Sequence, residues 1–238
     1  MHNHLLVENQ SWHYYNGEEL STTNDVHVFK IDALAFAANV KPYLIMSPAE
    51  KEKAEKFRHK TDKESYMVAR CCLRLLLSKF TGLSPDQIEY SYTKNKKPYI
   101  SNTIHFNLSH HQHHVLIAIS SQAIGIDVEQ HLEDFDFTTI LESCFIEEEI
   151  RFIHQGPQPS LNFYTLWTRK EALLKATGEG LIDNLTEVSS LDITQTRGEN
   201  RYQLYSWLCA DQAIVSLAKP ISSNPVKLWL FSPLLTYA

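Results

Sequence analysis

Ile124-Gly125-Ile126-Asp127-Val128-Glu129 is the stretch around which the chain is organised, because it sets two acids in an apolar, β-branched run. In a β-strand, residues i and i+2 point to the same face, so these two carboxylates would lie side by side. Like charges that close repel, and burying them is costly unless a cation or another partner offsets the charge. Hard oxygen ligands beside open water positions suit Mg²⁺. The alternative is a strand that runs into solvent with both acids hydrated, and this stretch alone favours neither reading.

A second stretch, from Phe163 to Gly178, predicts the helix that would complete such a site. Its apolar residues recur with helical period, and no Pro or Gly interrupts them before Gly178, which is a natural C-terminal stop. Glu171 falls on the apolar side, where an acid is out of place, and Lys175 lies one turn further on the same face. The alternative is an exposed ion pair, worth only about a few tenths of a kcal/mol.

Three motifs in this order resemble those of the 4′-phosphopantetheinyl transferases, and more narrowly the large, surfactin-synthetase-activating type. The motifs are FNLSH at 106–110, IGIDVE at 124–129 and WTRKEALLKATGEGL at 167–181, and the resemblance extends from about Ser47 to Leu181. It implies an enzyme that moves 4′-phosphopantetheine from coenzyme A to a serine of an apo acyl or peptidyl carrier protein and releases 3′,5′-ADP. It also implies Mg²⁺ as cofactor, with Mn²⁺ as an alternative.

The resemblance assigns roles to individual residues. The implied metal ligands are Asp127, Glu129 and Glu171, and the implied catalytic residues are Glu171, Lys175 and Asp127. Glu171 matches a residue proposed to help deprotonate the carrier serine, directly or through water. Charge neutralisation and positioning are what phosphoryl transfer needs, and these residue types supply both. The implied coenzyme A contacts are Lys53, Arg58, Lys63, Lys97, Pro98, Ser109, His110, Lys170 and Lys175.

Two positions depart from the family pattern. After Asp62, where many relatives carry arginines, this chain has Lys63-Glu64-Ser65, so the base that holds the 3′-phosphate of coenzyme A is left open. The candidates are Lys53, Arg58, Lys60, Lys63 and Arg70, although the segment could also be a solvated helix face. Lys96 stands where the family usually has glycine. If that glycine needs a positive φ, we expect the turn to change shape rather than Lys96 to adopt a strained conformation.

Composition narrows the class of protein. The 238 residues are 43% hydrophobic and 21% charged with a net charge of −6, which is ordinary for a globular protein and makes nucleic acid an unfavoured partner. The start, MHNHLLVENQ, lacks a signal-peptide pattern, and no apolar run approaches membrane-spanning length. We therefore expect a cytoplasmic protein, and the family resemblance suggests a monomer. Its carrier partner would dock through apolar contact or a local basic patch.

Cysteines and histidines offer two further alternatives. Cys71, Cys72, Cys144 and Cys209 form no CxxC pair and are interpreted as reduced core residues, since Cys144 has no further support as a nucleophile. The cluster His110, His111, His113 and His114 invites a zinc site, but neighbouring histidines in a turn do not converge easily on one ion. Ser109-His110 could also suggest a serine hydrolase, but it lacks the GxSxG elbow of one large class of these enzymes.

The local patterns predict the following elements. Capping boxes at Ser47 and Thr61 begin two helices, the second with an apolar face ending near Gly82, and residues 137–153 are helical. Predicted strands lie near 26–31, 88–92, 105–109, 115–120, 186–193, 201–208, 212–218 and 226–231.

A faint repeat of helix followed by strands suggests duplicated halves. Together with the resemblance, it predicts an α+β fold. This is a pseudo-twofold duplication of two similar α/β subdomains, each a small, mostly antiparallel sheet on a long helix. The active site would lie in the cleft between them. Residues 1–122 would form the N-terminal subdomain with the coenzyme A nucleotide contacts, and 123–238 the C-terminal subdomain with the metal site and catalytic helix.

Two other functions stay open from the sequence. One is a coenzyme A or carrier-protein binding module without catalysis, which the changes at 63–65 and at Lys96 allow. The other is a structural α+β protein whose acids are merely solvated. Metal-dependent transfer of phosphopantetheine would identify the protein as the enzyme. Absence of any coenzyme A binding would identify it as the structural protein.

Overall fold

The computed structural model describes residues 5–8, 10–21, 23, 25–39, 41–100, 103–180, 182 and 184–232. Within these residues the chain forms two compact units. The first unit comprises the described parts of Met1–Gln10, Lys94–Lys97 and Ala123–Ser222. The second comprises the described parts of Ser11–Thr93, Pro98–Gln122 and Ser223–Ala238. Each unit has a five-stranded sheet and a long helix, so the chain is a mixed α/β protein.

The strands in chain order are β1 (Val7–Glu8), β2 (His13–Tyr14), β3 (Val26–Asp32), β4 (Ser91–Tyr92), β5 (Pro98–Tyr99), β6 (His105–His111), β7 (His114–Ser120), β8 (Gly125–Gln130), β9 (Thr194–Arg197), β10 (Asn200–Leu208), β11 (Ala213–Pro220) and β12 (Val226–Leu230). The helices are α1 (Ala33–Asn39), α2 (Pro48–Ala54), α3 (Lys60–Thr81), α4 (Leu141–Cys144), α5 (Glu147–Ile153) and α6 (Pro159–Thr177). Short 3₁₀ turns lie at Pro42–Leu44, Pro85–Gln87, Thr138–Ile140 and Leu185–Glu187.

In the second unit, the sheet has the strand order β2-β12-β3-β7-β6, and α3 packs against it. The pairs of β12 with β2 and β3 are parallel and the others antiparallel. The inward-facing positions of β3 and β7 and one face of α3 form a single apolar core that includes Phe29, Ile31, Leu73, Leu76 and Ile117. The helix ends at Gly82, which has a φ of +71°. The predicted apolar face and glycine stop of this helix are confirmed.

In the first unit, the sheet has the strand order β1-β10-β11-β8, with β9 paired to β10, and α6 packs on it. Gly125 opens β8 and determines how closely the helix approaches. A Cβ atom at Gly125 would lie 2.0 Å from the carbonyl oxygen of Ala172 and 2.3 Å from the backbone nitrogen of Ala176. The backbone of α6 therefore lies directly on the first residue of β8, and only glycine fits there.

Several local predictions are wrong. The long helix of the second unit begins at Lys60 with His59 as its N-cap and no side-chain cap, so Thr61 does not form a capping box. The strand expected at 88–92 is reduced to β4. That expected at 186–193 is the end of a 3₁₀ turn and irregular backbone, and β9 begins only at Thr194. Helix 137–153 is interrupted because Phe145 and Ile146 are extended. The Ile146 N–H instead donates to the carboxylate of Glu149 and starts a new helix.

The turn before β5 corrects another expectation. Lys96 has a φ of +63°, so it adopts the left-handed conformation itself and the turn keeps the shape that glycine would permit. By contrast, the capping box at Ser47 is confirmed, because its hydroxyl accepts from Glu50 N–H and the Glu50 carboxylate accepts from Ser47 N–H. All four cysteines are free and buried, as predicted.

Candidate functional site

Strand β8 presents its two acids on one face, as the sequence predicts. Asp127 lies opposite Ser216 of β11 and Glu129 opposite Ile214, in a regular antiparallel register. Asp127 is buried with 4% of its surface exposed, while Glu129 is partly exposed. The burial of one carboxylate at the strand centre excludes the alternative in which both acids are simply hydrated.

Helix α6 brings a third acid and a lysine to β8. The ammonium of Lys175 donates to Asp127 Oδ1 across 2.6 Å. Burial raises the pKa of Glu171; the carboxylate of Asp127 raises it further, Lys175 lowers it, and Glu129 raises it. The four charged groups therefore lie within electrostatic reach of one another. The predicted i,i+4 pair of Glu171 and Lys175 is part of a tertiary cluster rather than an exposed helix-surface ion pair.

The donor chemistry of this cluster suits a hard divalent cation. Its acids are all carboxylates, and a divalent cation would offset their negative charge. Burial and then the neighbouring carboxylates raise the pKa of Glu171, which shows that this charge is costly here. Among the described residues, however, no group of three or more His, Cys, Asp or Glu side chains stands in metal-ligand geometry. The ammonium of Lys175 donates to Asp127 Oδ1. By charge and donor type, the three carboxylates nevertheless fit Mg²⁺.

The histidines behind the zinc alternative are His110, His111, His113 and His114, at the ends of β6 and β7 and in the turn between them. Among the described residues, these side chains do not stand in metal-ligand geometry. The rings of His113 and His114 pack at 4.0 Å between centroids, and His114 is buried. His113 lies in the turn, and His114 opens β7.

Lys170 lies in a different environment from Glu171. It is 1% exposed, and its ammonium donates to Glu149 Oε2 at 2.7 Å, to the Leu185 carbonyl at 3.1 Å and to the Val188 carbonyl. It also lies 5.0 Å from the ring centroid of Phe145. The structure does not bring Lys170 to the acidic cluster, because successive helical residues point about 100° apart. Its ammonium is hydrogen-bonded to interior acceptors. This geometry therefore does not support the phosphate contact that the family resemblance implies for Lys170.

Glu149 is the buried partner of Lys170, and it was not predicted from the sequence. It is completely buried, and its carboxylate accepts from Lys170, from Ser190 N–H at 2.8 Å and from the Ser190 hydroxyl at 2.7 Å. The sequence could have indicated its burial, because Glu149 lies four residues after Phe145 and four before Ile153, on the apolar face of a helical segment. Together Glu149 and Lys170 anchor α6 from the side.

Lys97 is held at the C-terminal end of α6. Its ammonium donates to the carbonyls of Lys175 at 2.5 Å, Ala176 at 3.1 Å and Ile124 at 3.2 Å. Burial lowers the pKa of Lys97 to about 8. Asn95, which the sequence reasoning did not single out, donates its Nδ2 to the Gly178 carbonyl at 2.9 Å. Both side chains therefore contact the backbone that follows Glu171.

The predicted basic residues of the second unit separate into two kinds. Lys63 pairs with Glu55 at 2.7 Å and Lys60 with Glu64 at 3.6 Å, while Arg58 is exposed. Lys53 and Arg70 both face the ring of Tyr66, each 5.4 Å from its centroid. Burial lowers the pKa of Lys53, and the neighbouring Arg70 cation lowers it further. Two adjacent cations thus lie against one aromatic ring.

The remaining predicted contacts lie on strands of the second unit. Ser109 and His110 are in β6, paired with Leu116 and Val115 of β7, and Ser109 is buried. Pro98 opens β5. No helix in the described part of the chain is long and apolar enough to cross a lipid bilayer.

Comparison with known families covers most of both units. Residues 123–218 match the sequence model described as the 4′-phosphopantetheinyl transferase superfamily. Residues 38–122 match the model described as 4′-phosphopantetheinyl transferase, N-terminal. The two matches adjoin at the junction between β7 and β8, immediately before the strand that carries the acids.

Individual relatives agree with these matches. The chain is 31% identical to the 4′-phosphopantetheinyl transferase HetI of Nostoc over 57% of its own length and 61% of the relative's. It is 30% identical to Sfp of Bacillus subtilis over 57% and 62% of the two lengths. A 4′-phosphopantetheinyl transferase of Bacillus pumilus is 27% identical over 79% and 85%. The chain thus spans about three fifths of the length of most curated relatives it matches.

Proposed function

Because the chain belongs to the 4′-phosphopantetheinyl transferase superfamily, we propose that it transfers 4′-phosphopantetheine from coenzyme A to a serine of an apo acyl or peptidyl carrier protein. The observation that carries the proposal is the cluster at β8 and α6. There Asp127 is buried against Lys175, and Glu171 is within electrostatic reach of Asp127, Glu129 and Lys175. A non-catalytic binding module has no need to gather three mutually repelling carboxylates, one of them buried.

In this proposal Asp127, Glu129 and Glu171 would hold the Mg²⁺ or Mn²⁺ ion. The bound cation would offset the negative charge of the coenzyme A pyrophosphate. Asp127 keeps Lys175 beside the cluster through their 2.6 Å hydrogen bond. The lysine supplies a positive charge for the phosphate groups of the departing 3′,5′-ADP.

Glu171 acts as the proton acceptor. Its carboxylate lies within electrostatic reach of Asp127, Glu129 and Lys175, and a positioned carboxylate can serve as a general base. It takes the proton of the carrier serine, directly or through a water molecule. The serine oxygen bonds to the phosphorus that carries the pantetheine, and the bond from that phosphorus to the bridging oxygen breaks, which releases 3′,5′-ADP.

For the nucleotide end of coenzyme A, we assign the 3′-phosphate to Lys53 and Arg70. Each of their cations lies 5.4 Å from the centroid of the Tyr66 ring, whereas Lys63 and Lys60 already pair with acids. Burial and then the neighbouring Arg70 cation lower the pKa of Lys53, so a bound anion would stabilise both charges. Arg58, Lys63, Pro98, Ser109 and His110 stay predicted contacts to the same substrate. So does Lys97, through atoms other than its ammonium, which donates to backbone carbonyls.

A comparison of coenzyme A binding with 3′-dephospho-coenzyme A binding tests this assignment. Lys53→Met and Arg70→Met should each weaken coenzyme A binding by about tenfold but leave binding of the dephospho form nearly unchanged, since one charge-assisted contact is lost. Lys56→Met is the matched control, because its ammonium is paired with Glu52 and it is not a predicted substrate contact. Equal losses for both substrates would refute the assignment.

The activity itself is tested by the intact mass of an apo-carrier protein incubated with the chain, coenzyme A and Mg²⁺. A gain of one phosphopantetheine that EDTA prevents establishes the transfer and its metal dependence together. No gain across fatty-acid, polyketide and peptide-synthetase carriers, despite measurable coenzyme A binding, would refute the enzyme and leave a binding module.

Other features rest on the sequence alone. The pseudo-twofold duplication, the active-site cleft and the division into residues 1–122 and 123–238 stay predictions. So do a cytoplasmic location, a monomeric state and the absence of a nucleic-acid partner. Size-exclusion chromatography with light scattering tests the oligomeric state.

A further inference from the structure

The side chain of Lys97 joins the two elements that carry the acidic cluster. Two of its acceptors, the carbonyls of Lys175 and Ala176, belong to the last turn of α6. The third, the carbonyl of Ile124, belongs to the residue immediately before β8. One ammonium group therefore links the end of the helix to the beginning of the strand.

These bonds complete the C-terminal end of α6. The last carbonyls of a helix lack partners within it, and a cation is favoured there by the helix dipole. Gly178 N–H donates to the Leu174 carbonyl at 2.9 Å, and Lys97 satisfies the next two carbonyls. Asn95 satisfies the carbonyl of Gly178. The segment Lys94–Lys97 thus caps the carbonyls that follow Leu174 at the end of the helix.

The fit between this segment and the helix end is close. A Cβ atom at Gly178 would lie 3.4 Å from Lys97 Cδ, and one at Gly180 would lie 3.4 Å from Asn95 Cβ. Lys96 adopts a φ of +63° between the two capping residues. A non-glycine residue keeps such a conformation only where its surroundings hold it there. The segment is therefore a fixed part of the first unit.

We propose that Lys97 is a positioning residue, whose ammonium clamps the end of α6 to the start of β8 and so sets Glu171 and Lys175 against Asp127 and Glu129. The inference rests on the transferase function proposed above. It gives the Lys97 ammonium a role apart from any contact with coenzyme A. The Lys97 ammonium donates to the backbone carbonyl of Lys175 and to that of Ile124, three residues before Asp127. A shift of the helix end or of the strand start would therefore move the Lys175 ammonium relative to the Asp127 carboxylate, which lie 2.6 Å apart.

Lys97→Met tests the clamp by separating the two Michaelis parameters. A small misplacement of reacting groups costs turnover, so kcat should fall by about ten- to a hundredfold, while KM for coenzyme A changes less than about twofold. Lys97→Arg, which keeps a cation and several N–H donors, should recover part of kcat. Lys219→Met is the matched control. It removes another buried lysine of the same unit, which donates to the Ser222 carbonyl and hydroxyl, and it should leave kcat unchanged.

Hydrogen exchange supplies a readout that does not need activity. In Lys97→Met, the amides of the last turn of α6 and of the first residues of β8 should exchange at least about tenfold faster, while those of β10 stay protected. If KM rises with kcat and exchange unchanged, Lys97 contacts the substrate and the clamp is refuted. Unchanged kcat also refutes it. If the wild type transfers to no carrier, the proposed function fails, and the exchange data alone decide whether Lys97 holds the two elements together.

Discussion

Gly125→Ala should disrupt both the stability and the activity of the chain, because it separates α6 from β8. The added Cβ would stand 2.0 Å from the Ala172 carbonyl oxygen and 2.3 Å from the Ala176 nitrogen, whereas ordinary contact begins at 3.4 Å. Both atoms belong to the helix backbone and cannot rotate away, so the helix must withdraw by more than an ångström. Overpacking typically costs about 1–3 kcal/mol, and a clash with backbone belongs at the upper end of that range.

The same shift moves Glu171 and Lys175 away from Asp127, so transfer should fall by about a hundredfold. Urea unfolding followed by circular dichroism measures the first effect, and the mass-based transfer assay measures the second. Gly198→Ala is the matched control. It adds a methyl group in open space at a φ of +58° between β9 and β10.

The control should lose about 1–2 kcal/mol of stability through backbone strain but keep its transfer rate. A Gly125→Ala variant within about 0.5 kcal/mol of wild type with normal transfer would refute the packing of α6 on β8.

The remaining predictions concern a buried histidine, a buried ion pair and the acidic cluster. Burial lowers the pKa of His27 below 6.5, so its contribution to stability is present above that pH and is lost as the pH falls through its folded pKa. His27→Gln should therefore make the unfolding free energy depend less on pH, which urea titrations from pH 7 to 5 measure. Glu149→Ala should cost about 3–5 kcal/mol because it leaves the Lys170 ammonium buried without its carboxylate, whereas the exposed Glu147→Ala should change the unfolding free energy by less than about 0.5 kcal/mol. Asp127→Ala should reduce transfer by at least about a hundredfold with a native circular dichroism spectrum, and near-normal transfer with Mg²⁺ would contradict the metal assignment.

Local signals predicted the elements whose causes lie within a few residues. The capping box at Ser47 needs only Glu50 three residues on, and the stops at Gly82 and Gly178 need only a residue that tolerates a positive φ. The period of α3 also identified its buried face. These features were predictable because their energetic causes are local.

Predictions failed where a distant partner decided the conformation. The helix expected over 137–153 is broken at Ile146, because the carboxylate of Glu149 is drawn inward by Lys170 and Ser190, 21 and 41 residues further along the chain. Lys96 keeps a left-handed conformation because its neighbours Asn95 and Lys97 are both bound to the end of α6. No window of local sequence contains these partners.

The sequence by itself determined which residues of the candidate site share a face. The spacing of two in β8 and of four in α6 follows from the geometry of a strand and a helix, so the grouping of Asp127 with Glu129 and of Glu171 with Lys175 was predictable. Only the tertiary structure decided which lysine meets which carboxylate. Lys170 and Lys175 are alike in type, yet the rotation of α6 on β8 sends one to Glu149 and the other to Asp127. That rotation depends on close packing at Gly125, where atoms far apart in the chain come into contact.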